Sequence, residues 1–98
     1  TEEGDRIANA LGEKTVLFLQ NHGILTTGPS IDIALWYYFS LERCCHSQLM
    51  ADAAGVTTKI PHDTAIKTRE FIANDLAAWA SFQPLLDMIT QKEPDLLD

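Results

Sequence analysis

Thr15-Val16-Leu17-Phe18-Leu19-Gln20-Asn21-His22-Gly23-Ile24-Leu25-Thr26-Thr27-Gly28-Pro29 is the stretch whose reading decides the fold. Its first six residues are a compact run of apolar and β-favouring side chains, too continuous for a half-exposed edge, and they read as a buried strand. Asn21-His22-Gly23 then interrupts with residue types suited to a turn or bulge. Ile24 to Thr27 resumes strand character until Gly28-Pro29 ends it. Two strands therefore flank a histidine.

Upstream, Ile7, Ala8, Ala10 and Leu11 recur at helical spacing within Glu2 to Leu11, and Gly12 is a natural stop. Downstream, Ser30 is a good N-cap for a helix that continues to Ala54, with Gly55 just beyond its end. At 1.5 Å per residue that helix is roughly 36 Å long. Its first half, Ile31 to Leu41, is apolar nearly all round, so a sheet or a partner subunit is expected to cover it. Its second half is amphipathic through Glu42, Arg43, His46, Gln48 and Asp52. Val56 to Pro61 reads as a linker. Asp63 or Thr64 is expected to cap a further helix running to about Ser81, and Pro84 to break or kink it. Leu85, Leu86, Met88 and Ile89 then form a last short helix before a tail at Asp95 to Asp98. The fold class is α/β (α+β), with two strands and three to four helices.

Composition narrows the functions open to the chain. The 98 residues hold 7 Lys+Arg and 14 Asp+Glu, a net charge of −7, and 46% are hydrophobic. One domain is the most such a length supports. The few basic residues are scattered, which excludes a phosphate-backbone reader and predicts no nucleic-acid partner. There is no apolar run of about 18 residues to span a membrane, and the acidic start is unlike a signal peptide, so a cytoplasmic location is expected. The first residue, Thr1, already lies in a helical pattern, and we expect the chain to be a segment of a longer protein. Cys44 and Cys45 are helical neighbours diverging by about 100°, which cannot bridge each other and suit two small buried or half-buried side chains of a reducing compartment.

His22 is the residue singled out for chemistry, because the following glycine gives the backbone freedom to aim it into a cleft at a strand end. One imidazole needs companion ligands to hold zinc. Glu42 and His46, four apart on one helix face, suit a surface pair, and His62 a solvent-exposed helix start. Gly28-Pro29-Ser30 is the nearest approach to an anion site at a helix N-terminus, without a P-loop or dinucleotide fingerprint. Trp79 and Phe82 are candidates for a subunit border.

Taken together, Arg6-Ile7-Ala8-Asn9-Ala10-Leu11, Val16 to Gly28 with its Asn21-His22-Gly23 turn, and Ile33-Ala34 and Leu41-Glu42 on the long helix resemble the class II aldolase/adducin family. The resemblance covers residues 3 to 55 as the C-terminal half of that family's domain. Phe82-Gln83-Pro84-Leu85 and Glu93-Pro94-Asp95-Leu96-Leu97 are similar to tails of microbial and fungal members. It implies one segment, 1–98, with a family core at 1–55 and a helical tail at 56–98, forming part of a three-layer α/β/α fold. It further implies a zinc-dependent carbon–carbon lyase that stabilises an enediolate of a small carbonyl, hydroxy or sugar-phosphate substrate. His22 stands at the position of one metal ligand; the other ligands, from a His-x-His pair, and the acid/base carboxylate belong to the upstream half. No residue of the 98 is expected to be catalytic, the segment alone is expected to be inactive, and the intact protein is expected to be a homo-oligomer, tetrameric by resemblance. Adducin head domains share the same turn, so a non-catalytic interaction or assembly module is the alternative. A half-fold that merely dimerises through Trp36 to Phe39 is a third.

Overall fold

The computed structural model describes all 98 residues: α1 (Glu2–Leu11), β1 (Val16–Leu19), β2 (Gly23–Thr26), α2 (Ile31–Ala54), α3 (His62–Ile72), α4 (Asp75–Lys92) and a closing 3-10 turn (Pro94–Leu97). Four helices and a two-stranded sheet make this a mixed α/β fold, as the residues predict. The strands pair antiparallel, Val16 with Thr26, Leu17 with Leu25, Phe18 with Ile24 and Leu19 with Gly23.

The helix boundaries at the front of the chain follow from capping. Thr1 Oγ1 accepts from Gly4 N–H to open α1, and Gly12 closes it at φ 53°. Ser30 Oγ accepts from Ile33 N–H to open α2, and Gly55 ends it. The back of the chain departs from expectation in three places. The helix foreseen from Asp63 or Thr64 to Ser81 is two helices, and the first begins at His62 with Pro61 as its cap. Asn74 separates them: its amide donates to Phe71 O at 2.9 Å while its carbonyl oxygen accepts from Ala77 N–H at 2.9 Å. One short polar side chain thus ends α3 and starts α4, an exchange that helical periodicity alone does not reveal.

Pro84 does not break the helix. It lies inside α4, which absorbs the separate short helix expected after it. Packing against α2 holds α4 just before the proline, with Phe82 buried and Gln83 bonded to Asp32. The expected tail at Asp95 to Asp98 instead winds into the 3-10 turn, which packs on α4.

Burial is sparse. Only Ile33, Ala78 and Phe82 are buried, and all three lie on the paired helices α2 and α4. The accessible surface is 8184 Å², against about 5,600 Å² for a self-contained monomer of this mass. The radius of gyration is 16.2 Å, against about 12.6 Å for a compact domain of this length. This corrects one expectation and leaves the other to a partner. β1 is not a buried strand: α2 packs on β2, no residue of β1 is fully buried, and Phe18 is 64% exposed. The apolar first half of α2 is only partly covered, leaving Ile31, Leu35, Tyr38 and Phe39 exposed. No helix is long and apolar enough to cross a membrane.

Candidate functional site

The hairpin tip is built by a tight turn. His22 N–H donates to Leu19 O at 3.1 Å, leaving Gln20 and Asn21 as the central residues. Asn21 alone of the non-glycine residues has positive φ, 62°. A positive value at the second central position is the pattern of a type II turn, which asparagine tolerates. Gly23 follows at φ 145° with nothing within 4 Å of an added Cβ. Its requirement is therefore conformational, since no neighbour crowds it.

These constraints put His22 on the exposed tip between two strands. The expected location at a strand end is met. Two clefts on the chain lie away from the hairpin and include none of its residues. One runs between the second half of α2 and residues 57–60, lined by Arg43, Cys44, Ser47 and Lys59 among others. The other lies between α2 and the α3–α4 junction, lined chiefly by Trp36, Tyr37, Phe71 and Leu76. There, burial and then the charge of Asp75 push the Tyr37 phenol above its usual range.

Nor does the chain gather ligands around His22: no three of its His, Cys, Asp or Glu residues converge as a metal site. An exposed imidazole on a backbone fixed by the turn suits one ligand position of a zinc ion, which takes three or four protein ligands. The residues present therefore fit as a contribution to a metal centre and do not compose one.

The remaining candidates scatter. Glu42, His46 and His62 are exposed, consistent with surface positions. Cys44 and Cys45 are free thiols, but Cys44 is exposed and not a buried side chain, because this part of α2 leaves the core. At Gly28-Pro29-Ser30, the Ser30 hydroxyl already accepts the Ile33 N–H of the α2 terminus. Trp79 is 48% exposed and remains available to a border, whereas Phe82, at 6%, is core packing between helices.

What the sequence did not point to is how the hairpin is fastened. Thr26 Oγ1 donates to Ala34 O in the first turns of α2 at 2.8 Å, and Thr27 N–H donates to Thr15 O at 2.9 Å below the last strand pair. Gly28 passes so close to α2 that an added Cβ would sit 2.9 Å from Ile33 Cγ2 and 3.0 Å from Ala34 N. No short-range signal marks Thr26 apart from Thr15 and Thr27 beside it in the hairpin; a glycine before proline and a capping serine was visible as a turn, but not as a close approach.

Comparison with known proteins gives the context of this geometry. The sequence profile of the Class II Aldolase and Adducin N-terminal domain matches residues 1–49. The chain is 40% identical over 95 residues to "Decarboxylase NovR" of Streptomyces niveus, covering 97% of this chain and 35% of the relative. It is also 40% identical over 95 residues to "4-hydroxy-3-prenylphenylpyruvate oxygenase/4-hydroxy-3-prenylbenzoate synthase" of Streptomyces roseochromogenus subsp. oscitans, covering 97% and 34%. Among solved structures it is similar to L-fuculose 1-phosphate aldolase from Glaciozyma antarctica, with TM-score 0.89 and 36% identity over 93% of this chain and 36% of that one. The chain spans about a third of the length of these relatives.

Proposed function

Because this chain belongs to the class II aldolase and adducin family, we propose that it forms the hairpin-bearing part of a metal-dependent carbon–carbon lyase. The observation that carries this reading is His22, fixed by the Leu19–His22 turn on an exposed tip within a family match that runs through it. Two kinds of relative support the reaction class. An aldolase cleaves a carbon–carbon bond beside a carbonyl, and a decarboxylase cleaves one to a carboxyl carbon; both leave electron density that needs an acceptor. The substrate class is a small molecule with a carbonyl or hydroxy group, including sugar phosphates.

In this reading His22 donates one neutral imidazole nitrogen to a zinc or similar divalent ion. The other ligands come from residues outside these 98, since zinc needs more donors than this chain gathers. When bound, such an ion supplies Lewis-acid stabilisation to a substrate oxygen. The chain's own work is to hold the imidazole, through the turn, the paired strands and their attachment to α2. Residues 1–55 form the family core and 56–98 a helical extension; without the missing donors and acid/base group, the 98 residues alone are inactive.

The exposed Leu35, Tyr38, Phe39 and Trp79 support assembly as a homo-oligomer, and the free thiols suit a reducing cytoplasm. The same apolar surface favours the second reading, an adducin-like assembly module without chemistry. The discriminating feature is a His-x-His pair with an acidic residue upstream of the hairpin, which the enzyme requires and the assembly module lacks.

The test is the metal content and retro-aldol activity of the protein expressed from its complete gene, with and without His22→Ala. About one zinc per chain, lost together with activity in the variant, is the expected result. Full metal and activity in the variant would overturn the role of His22. Turnover by the purified 98-residue chain would overturn its inactivity.

A further inference from the structure

A hairpin of two four-residue strands is marginal by itself in water. Its tip therefore stays where it is only if its base is fastened. The base has one side-chain fastening to the helix layer, the Thr26 hydroxyl on Ala34 O at 2.8 Å, in a half-buried position. Thr26 ends the strand that begins directly after His22. At about 3.4 Å per residue the tip stands roughly 13 Å from this fastening. A tilt of only about 2° over that length moves the tip by about 0.5 Å, more than the ~0.2 Å latitude of a metal–ligand distance.

We propose that Thr26 is a positioning residue for His22, its hydroxyl setting the angle at which the hairpin leaves α2 and so the place of the imidazole. The inference rests on the reading of His22 as a metal ligand, and extends it to a residue that touches neither metal nor substrate. It also separates the two parts of the threonine. The methyl group and β-branching serve the strand, while the hydroxyl serves the site.

The experiment uses the protein from its complete gene, loaded with Co²⁺ or Zn²⁺, and measures metal affinity by chelator competition together with amide exchange at His22 and Gly23. The variants are Thr26→Val, Thr26→Ser and His22→Ala, with melting temperatures to confirm folding. Thr26→Val should weaken metal binding about tenfold, as loss of outer hydrogen-bonding partners does, and speed exchange of the His22 N–H that donates to Leu19. Thr26→Ser, which keeps the hydroxyl, should bind within about twofold of the parent. A Thr26→Val variant with parental affinity and parental exchange, beside a His22→Ala variant that loses the metal, overturns the positioning role and leaves the ligand role standing. If His22→Ala binds metal as tightly as the parent, the ligand role itself fails, and with it this assignment. Where Thr26→Val does not fold, a Thr26→Ser variant weakened as much as His22→Ala would equally overturn it.

Discussion

Gln83 Nε2 donates a 2.8 Å hydrogen bond to Asp32 Oδ2, joining α4 to the first turn of α2 across 51 residues of sequence. The same amide donates to Trp79 O at 3.2 Å, one turn back on its own helix. Asp32 is in turn well placed beside the positive end of the α2 dipole. The pair fixes the helical extension against the end of α2 from which the hairpin hangs.

Gln83→Leu should therefore cost about 1.5 kcal/mol, the range for a hydrogen bond to a charged group, because the half-buried carboxylate loses its partner. Gln83→Glu should cost more at neutral pH, since it sets a like charge against Asp32. Urea denaturation of the two variants checks this; equal stability of Glu and Gln at this position would show that the pair is solvent-screened.

Gly28→Ala should destabilise by about 1–3 kcal/mol through overpacking. The added Cβ meets both a side-chain carbon of Ile33 and the backbone nitrogen of Ala34. Ile33→Ala in the same chain should not restore stability fully, because the Ala34 backbone contact persists. Thermal unfolding of the single and double variants measures both statements.

Pro84→Ala should raise stability, by an amount up to the ~3 kcal/mol that proline costs inside a helix. α4 runs through this position, so alanine restores a backbone donor to the Ala80 carbonyl without changing the packed neighbours. A lower melting temperature for the variant would mean that α2–α4 packing depends on a bend at the proline.

Tyr37 gives the chain an alkaline sensitivity. Its raised pKa means that the folded state holds the phenolic proton more tightly than the unfolded chain, whose tyrosine titrates near 10.0. The contribution is fully present below that value and is lost as pH rises from there through the folded value. Absorbance titration should show a tyrosine component displaced upward, and Tyr37→Phe should remove it and flatten the stability loss above pH ~10. A titration unchanged by the substitution would contradict the burial and the Asp75 proximity that cause the shift.

The sequence by itself determined α1, the hairpin, the span of α2 and its two caps, because each is specified within a few residues. Ser30, Gly12 and Gly55 stand at helix ends whose orphan groups they satisfy, and the Asn21-His22-Gly23 run concentrates the backbone conformations a tight reversal needs; Thr1, read as already helical, is instead the cap of α1. It also singled out His22 and carried the family resemblance through that turn. The Asn74 cap that divides one periodic segment into two helices is also local, within three residues either way, but apolar periodicity runs across it. Only the tertiary structure decided that α4 continues through Pro84 and that Phe82 lies in the core while Phe18 does not. It alone revealed the fastening of Thr26 to Ala34 and of Gln83 to Asp32. Caps and turns are settled by neighbours along the chain, whereas burial and cross-element hydrogen bonds depend on which distant surfaces meet, and no local pattern encodes that meeting.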